Sequence, residues 1–482
     1  MLKRTGRKYF NKEFFLVLMP LFFVLHGFIP YYEGIYWTDA VQLFLLYSVF
    51  SVSIVFLLNF VFLAFRNAAI YTFMLLLFNF LFGSLHDLAR QYFGKSVLTQ
   101  YSFLLPLILL LFTILFFALL KTKRSFSKLA SYLNLLFLLL IFVDLIRLAA
   151  KKLTQQEALI KKLTPCKNCP KPDIYLLVVD GYGGHKQLQE KFSFNNNAFE
   201  DSLKSKGFYV VDSSISNYGA THSSISSLLN MRYLSAVTSD DFHRDLNKNN
   251  FTEYLKSNNY QIKNYSFFKI AGQFPPQEIE YFPFGKELIT KHTFTARLNN
   301  DIGHKFLFSN KSGNEHSRFN NKQQTLARQT SGRDYFTMQQ LLSEVKSQKQ
   351  VAPKFVYCHF LMPHPPYLFD KNGNRADLTS TKEAQYIDYL EYTNERMLFA
   401  IDKILAASAT PPAILLMSDH GYRDDDNPDL TSDRFLTHNS IYLPEKNYSK
   451  YYKGISNVNM FRMFLNEQFN QQLPLLADST VF

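Results

Sequence analysis

The sequence predicts an α-helical transmembrane bundle of five spans, followed by an α/β domain with a mainly parallel central sheet. Three observations predict it. Before about residue 150 the chain is dominated by Leu and Phe, whereas beyond it Asn, Ser, Asp, Lys and Tyr become common. The second part alternates short apolar runs with helix-like segments, the pattern of a sheet covered by helices on both faces. Two of those runs, 174–179 and 413–417, end in Asp180-Gly181 and Ser418-Asp419-His420-Gly421. At 482 residues the chain exceeds one ordinary domain, and its mean hydropathy of −0.09 averages two unlike halves.

The five apolar stretches are 14–30, 40–65, 69–85, 102–120 and 131–150. Each is near the ~17 to 25 residues that cross a bilayer core as a helix. A cleaved signal peptide is the rival for the first. No small-residue cleavage site follows it before Tyr31-Tyr32-Glu33, so it is expected to stay as a span. Lys3, Arg4, Arg7, Lys8 and Lys12 precede the first span, and Lys121, Lys123, Arg124 and Lys128 follow the fourth. Cytoplasmic loops carry such clusters, so an odd number of spans puts everything after Ala150 outside the cytoplasm of a cell (inner) membrane, periplasmic or cell-surface. Lys151, Lys152, Arg90 and Lys95 oppose this more weakly. Asp144 and Arg147 in the fifth span are three residues apart and can pair on one helix face.

The net charge of +13 owes much to these flanks, and no basic stripe with interleaved aromatics lies outside them. Nucleic acid is therefore not an expected partner. Three cysteines are too few for a disulfide framework. Cys166 and Cys169, in an oxidising compartment, favour a local disulfide over a metal or redox pair, and Cys358 in an apolar run reads as a buried thiol.

Residues 151–171 read as a polar, helix-compatible connector that ends at Pro165 and Pro170. The expected domains are thus 1–150, transmembrane; 151–171, connector; and 172–482, extracytoplasmic. Strands are expected at 174–179 and 208–211, and helices at 197–206 and 222–230. Segments 251–258, 261–267, 355–360, 384–405 and 413–417 continue the alternation, and 458–469 is an amphipathic closing helix. The polar stretch 272–349 has no clear period and is expected to hold insertions that shape a cleft.

Asp180 sits at the carboxyl end of a buried strand, where open α/β sheets place ligands, and Gly181, Gly183 and Gly184 allow close backbone approach. A strand-end Asp-Gly is equally an ordinary turn. Asp419 and His420 add oxygen and imidazole donors, a combination suited to zinc or manganese rather than calcium or magnesium. A fourth group that doubles as nucleophile is offered by Thr221, in Asn217-Tyr-Gly-Ala-Thr-His-Ser-Ser. It lies where a helix begins, and the local sequence is equally that of a helix N-cap. The Asp-Asp-Asp run at 424–426 reads as a solvated acidic loop rather than a second cation site.

The Asp-Gly after the first strand, the Thr in a Ser-rich turn, the pair His359-Phe-Leu-Met-Pro-His364-Pro-Pro-Tyr367 and Ser-Asp-His-Gly together resemble the sulfatase branch of the alkaline phosphatase superfamily. Five spans ahead of such a domain resemble membrane-anchored lipoteichoic acid synthases and phosphoethanolamine transferases. At motif level the likeness covers 174–184, 217–231, 355–367 and 413–421. It implies a sulfatase-like fold, a divalent metal held by Asp180, Thr221, Asp419 and His420, and Thr221 as nucleophile. It implies that His364 contacts the phosphoryl group or protonates the leaving group. His359, Arg434, His438 and Asn439 are further candidates for the substrate pocket, His359 being equally readable as a strand-end structural histidine. Two departures matter. The transferases usually carry Glu where Asp180 stands, and none of the three cysteines has the Cys/Ser-x-Pro-x-Arg context of true sulfatases.

The implied activity is a membrane-bound transferase that moves a phospholipid head-group phosphate unit, phosphoethanolamine or phosphoglycerol, from a membrane phospholipid donor to an envelope glycan or lipid acceptor. It would proceed by a phospho-threonine intermediate. A phosphodiesterase or phosphatase on the same scaffold, and a non-catalytic membrane binding or assembly protein, are the alternatives.

Overall fold

The structure, a computed structural model, describes residues 12–32, 35–94, 96–122, 124–154, 163–234, 244–276, 285–299, 301, 315–347, 352–377, 379–423 and 432–481. It separates into two compact units, Met1–Gln156 with Pro283–Asn314, and Glu157–Phe282 with Glu315–Phe482.

The first unit is built on helices α1 (Phe15–Phe28), α2 (Trp37–Phe62), α3 (Phe65–Phe93), α4 (Tyr101–Lys121) and α5 (Ser127–Thr154). Four of them, α2 to α5, are long and apolar enough to cross a membrane. The first expected span is shorter than the sequence suggests. At 1.5 Å per residue α1 covers about 21 Å against a hydrocarbon core of about 30 Å. The chain turns at Pro30, which has no N–H to extend the helical ladder. The third stretch is longer than its apolar part. The helix runs on through His86 and Asp87, which find partners, His86 Nε2 with the Thr99 carbonyl at 2.9 Å and Asp87 with Arg297. Asp144, 2% exposed, pairs with Arg147 at 3.5 Å as expected, and also with His26 Nδ1 at 3.0 Å, which ties α5 to α1.

Residues expected inside the second domain belong to this first unit, which corrects the 172–482 boundary. The two short helices Lys286–Thr290 and Phe294–Leu298 carry apolar side chains that are covered here. Leu288 and Ile289 cluster with Val24, Ile35 and Leu43, and Phe294 meets Phe78 and Phe82. The Gly83 N–H donates to the His292 carbonyl at 2.8 Å, and a Cβ at position 83 would lie 2.3 Å from that oxygen.

The second unit holds β1 (Ile174–Asp180), α6 (His185–Phe192), α7 (Asn197–Ser205), β2 (Tyr209–Val210), α8 (Thr221–Asn230), α9 (Asn250–Ser257), β3 (Gln261–Tyr265), α10 (Glu315–Lys346), β4 (Lys354–Pro363), α11 (Lys382–Ala407), β5 (Ala413–Ser418), β6 (Asn439–Tyr442) and α12 (Asn457–Phe469). They form a six-stranded sheet in the order β2-β6-β5-β1-β4-β3. β1 runs parallel to both β4 and β5, and β3 parallel to β4, whereas β6 is antiparallel to β5 and β2. Every residue of β1, β4 and β5 is buried, as expected for parallel strands covered on both faces. Side chains alternate. Ile174, Leu176 and Val178 pack under α8, α9 and α12, while Tyr175, Leu177 and Val179 pack under α6, α7, α10 and α11.

The alternation expected from sequence is present, with β2 cut to two residues. Helices α6 and α10 and strand β6 are additions. β6 is four residues of Asn-Ser-Ile-Tyr with no apolar run to announce it, so Asn439, a pocket candidate from the sequence, begins a strand. Cys166 and Cys169 form the expected disulfide, and Cys358 is a fully buried free thiol. The acidic run at 424–426, the basic residues 3–8 and the connector segment 155–162 lie outside the described residues.

Candidate metal centre

Three adjacent parallel strands end at one edge of the sheet, and each delivers a functional side chain there. Asp180 is the last residue of β1, Asp419 and His420 follow β5, and His364 follows β4. Because β4 and β5 lie on opposite sides of β1, the strand order reverses at this point, the place where open α/β sheets form a crevice. Thr221 arrives from another direction, as the first residue of α8. Ala220 holds the N-cap position, so the capping alternative for Thr221 gives way. Its Oγ1 stands 3.3 Å from His420 Nε2.

Ligand atoms of Asp180, Asp419 and His420 lie within 4.8 Å of one another. His420 Nε2 is 3.4 Å from Asp180 Oδ1 and 3.6 Å from Asp419 Oδ2. Asp180, Thr221, Asp419 and His420 are 1, 5, 0 and 0% exposed. Backbone groups aim the donors. Asp419 Oδ1 accepts the N–H groups of Gly181 at 3.1 Å and His420 at 2.8 Å, while Oδ2 makes no hydrogen bond among the described residues. His420 Nδ1 donates to the Gly421 carbonyl at 2.8 Å. That bond puts the proton on Nδ1 and turns the Nε2 lone pair toward the cluster, the usual orientation of a metal-ligating histidine.

Supports missed in the sequence hold the loop. Ser224 Oγ donates to the Asp419 carbonyl at 2.5 Å, and Ser418 Oγ donates to the His420 carbonyl at 2.5 Å while accepting the Tyr182 N–H at 3.0 Å. Ser418 was legible as part of the Ser-Asp-His-Gly motif; Ser224 had only its place in a Ser-rich helix start. Gly181 has φ +69°, a left-handed turn that suits glycine, and lies in ordinary contact range of the His364 and His420 rings.

Burial opposes ionisation of Asp419, but the adjacent His420 and His359, the Thr221 hydroxyl and the Gly181 N–H outweigh it and hold the carboxyl below its ordinary range. Asp419 is thus an ionised, buried carboxylate. Two carboxylates, an imidazole whose Nε2 faces them and a hydroxyl, with one buried Asp419 oxygen making no hydrogen bond among the described residues, fit a divalent cation.

The other expected residues divide. His364 is beside the cluster, its ring centroid 6.4 Å from that of His420, with Nδ1 held by the Pro365 carbonyl at 2.8 Å. His359 is fully buried between Phe267 and Tyr357; Nδ1 bonds the Tyr357 hydroxyl at 2.9 Å, and burial lowers its pKa to about 3. It is a neutral wall residue. Arg434 lies against Gly219, two residues before Thr221, close to the site but stacked over Phe435 at 5.1 Å. Asn439 is an interior strand residue whose side-chain N–H reaches Asn457 at 3.3 Å, and His438 packs on Tyr182 and Phe199. Both serve the packing around β6 rather than the ligand cluster, because an antiparallel strand directs their side chains into the covered layers.

No protein-family model matches this sequence, and no curated protein matches it. Among solved structures it is similar to the integral membrane lipooligosaccharide phosphoethanolamine transferase A of Neisseria meningitidis, at 10% identity over 96% of each chain and a TM-score of 0.39. It is similar to the C-terminal periplasmic domain of EcEptC of Escherichia coli, at 13% identity over 64% of this chain and 86% of that one, TM-score 0.38. The C-terminal periplasmic domain of phosphoethanolamine transferase EptC of Campylobacter jejuni matches at 12% identity over 64% and 92%, TM-score 0.37. These neighbours are of the kind the motifs resemble.

Proposed function

We propose that this chain is a metal-dependent, membrane-bound transferase that moves phosphoethanolamine or phosphoglycerol from a membrane phospholipid to an envelope glycan or lipid. The observation that carries this reading is the approach of the Thr221 hydroxyl to 3.3 Å from His420 Nε2, at the edge of a buried pair of carboxylates. A hydroxyl so placed serves as a nucleophile rather than a helix cap. Asp180, Thr221, Asp419 and His420 would hold the cation. When bound, it supplies positive charge that favours the ionised hydroxyl and an electron-poor phosphorus.

The chain's own residues do the rest. Thr221 Oγ1 attacks phosphorus, the bond to the diacylglycerol oxygen breaks, and a phospho-threonine diester forms. With Nδ1 of His364 committed to Pro365, proton exchange falls to its Nε2. It gives a proton to the departing alcohol; in the second displacement it takes one from the acceptor hydroxyl as the acceptor oxygen bonds to phosphorus and the bond from phosphorus to Thr221 Oγ1 breaks, which returns Thr221 to its ionised form. The proposed orientation, with the second unit extracytoplasmic on a cell (inner) membrane, is supported by the basic clusters before α1 and after α4 and counts α1 as a crossing.

Incubating the full chain with phosphatidylethanolamine or phosphatidylglycerol vesicles, without acceptor, should give a head-group phosphate adduct on the Thr221 peptide by mass spectrometry, absent in Thr221→Ala. Free phosphorylated head group released at one rate with or without acceptor would replace the transferase by a hydrolase. Neither adduct nor release would leave a non-catalytic membrane protein.

A further inference from the structure

The second unit contains a cavity that the metal cluster does not use. It measures about 560 Å³, inside the range of roughly 300–1,000 Å³ of small-molecule sites. It lies on the sheet face away from α8, between α10 and α11, with Met362 of β4 in its wall. Tyr389, Tyr392, Arg396 and Phe399 repeat at helical spacing along α11 and share one face; Tyr335 of α10 and Phe369 complete the rings.

The rings are arranged as flat walls. Phe369 and Tyr392 have centroids 4.9 Å apart, and Tyr389 and Tyr392 are stacked at 6.1 Å and 11°. The Arg396 guanidinium is held over Tyr392 at 5.4 Å and Phe399 at 5.7 Å, with Nη2 on Glu395 at 2.7 Å. Its Nε is buried and makes no hydrogen bond among the described residues. A buried N–H donor left unmatched costs stability, and a ligand acceptor would remove that cost. Ser331 and Gln339 add hydroxyl and amide groups to the lining.

A groove for an acyl chain would be aliphatic and free of such donors. Here aromatic faces suit the C–H faces of a sugar ring, while Arg396, Gln339 and Ser331 suit its hydroxyls. Met362 in its wall stands two residues before His364, whose ring is 6.4 Å from that of His420.

We propose that this cavity is a carbohydrate subsite that seats the sugar of the acceptor. Its acceptor role rests on the transferase reading; its affinity for sugar does not. The test is calorimetric titration of the full chain in nanodiscs with cellobiose and with maltotriose, and with decanoate as the acyl probe. Saccharide binding is expected, weakened at least tenfold in Tyr392→Ala and in the rim variant Phe399→Ala, whose exposed ring can be lost without unfolding, and unchanged in Thr221→Ala. In turnover, Phe399→Ala should raise KM for a sugar acceptor without changing kcat. Saccharide binding that both aromatic variants leave intact, no saccharide binding, or decanoate binding in its place would overturn the proposal. Intact saccharide binding in a protein that transfers nothing would overturn the transferase reading and leave the subsite standing.

Discussion

Each unit of this molecule buries a carboxylate against a histidine, and the two clusters differ in charge balance. In the first unit Asp144 is the single carboxylate, and His26 and Arg147 reach it at 3.0 and 3.5 Å. Both of those partners stay more than half exposed. In the second unit Asp180 and Asp419 share one imidazole, His420, whose ring proton is already given to the Gly421 carbonyl. The nearby His359 is held neutral by burial. Two buried carboxylates thus share a single imidazole. A second carboxylate in place of a guanidinium suits a cation, so similar ingredients make an ion pair in one place and a candidate cation site in the other.

Replacing the nucleophile should break the comparison most sharply. Thr221→Ala is expected to lower transfer by at least about 10³-fold while the carboxylates keep the cation, because a reaction that needs the hydroxyl has no substitute for it. Head-group transfer and metal content, measured on the same preparation, separate the two effects. Wild-type turnover in Thr221→Ala would sink the covalent mechanism. Asp419→Asn attacks the carboxylate pair itself. It keeps the shape and the oxygen but removes one charge, and should weaken the cation's affinity by more than about 100-fold, since altering only a ligand's supporting partner costs 10–100-fold. Metal-to-protein ratio after dialysis reads this directly, and an unchanged ratio would mean that Asp419 is not a ligand.

The metal cluster was legible because β1 and β5 are continuous apolar runs whose last residues must emerge at a sheet edge; Asp180, Asp419 and His420 needed only the knowledge that the strands are parallel neighbours. Thr221 was legible as a helix start, but whether it capped the helix or faced His420 depended on Ala220 taking the cap position, which local sequence does not determine. Asn439 misled because its polar neighbours hide a strand of four residues paired antiparallel to β5. The placement of 285–299 with the helical unit was not legible at all. Leu288, Ile289 and Phe294 are too sparse to show a period, and what covers them comes from residues more than 200 positions earlier.

Asp144→Asn sharpens the other side of the comparison. Its charge serves packing between α1 and α5, so head-group transfer and metal content should remain at wild-type levels. The amide can still bond His26, and both partners can rehydrate, so a loss of about 1–2 kcal/mol in the stability of the helical unit is expected. Thermal unfolding in detergent, read beside turnover, tests it. A turnover loss at unchanged melting temperature would assign Asp144 a part in the reaction.

An effect confined to acid pH concerns His438, whose pKa is shifted by burial alone. Burial lowers its pKa to about 4, and its Nε2 bonds Ser440 at 3.1 Å. The unfolded chain takes up a proton below about 6.5 and the folded chain refuses it until about 4. In that window the unfolded state binds more protons, so this contribution is fully present above pH 6.5 and is lost as pH falls toward 4. Asp334 slopes the other way. Burial raises it to about 7, against two backbone N–H donors, so its contribution is present at low pH and is lost as pH rises through 7. The wild-type profile mixes the two, and the difference between wild type and His438→Gln isolates one. Glutamine does not titrate, so the stability difference between the two proteins should change with pH by at most about 1.4 kcal/mol per unit between pH 4.5 and 6.5 and be flat above 7. A difference that is flat throughout would mean that His438 takes up its proton while folded, and that its place beside Tyr182 and Phe199 is open to water.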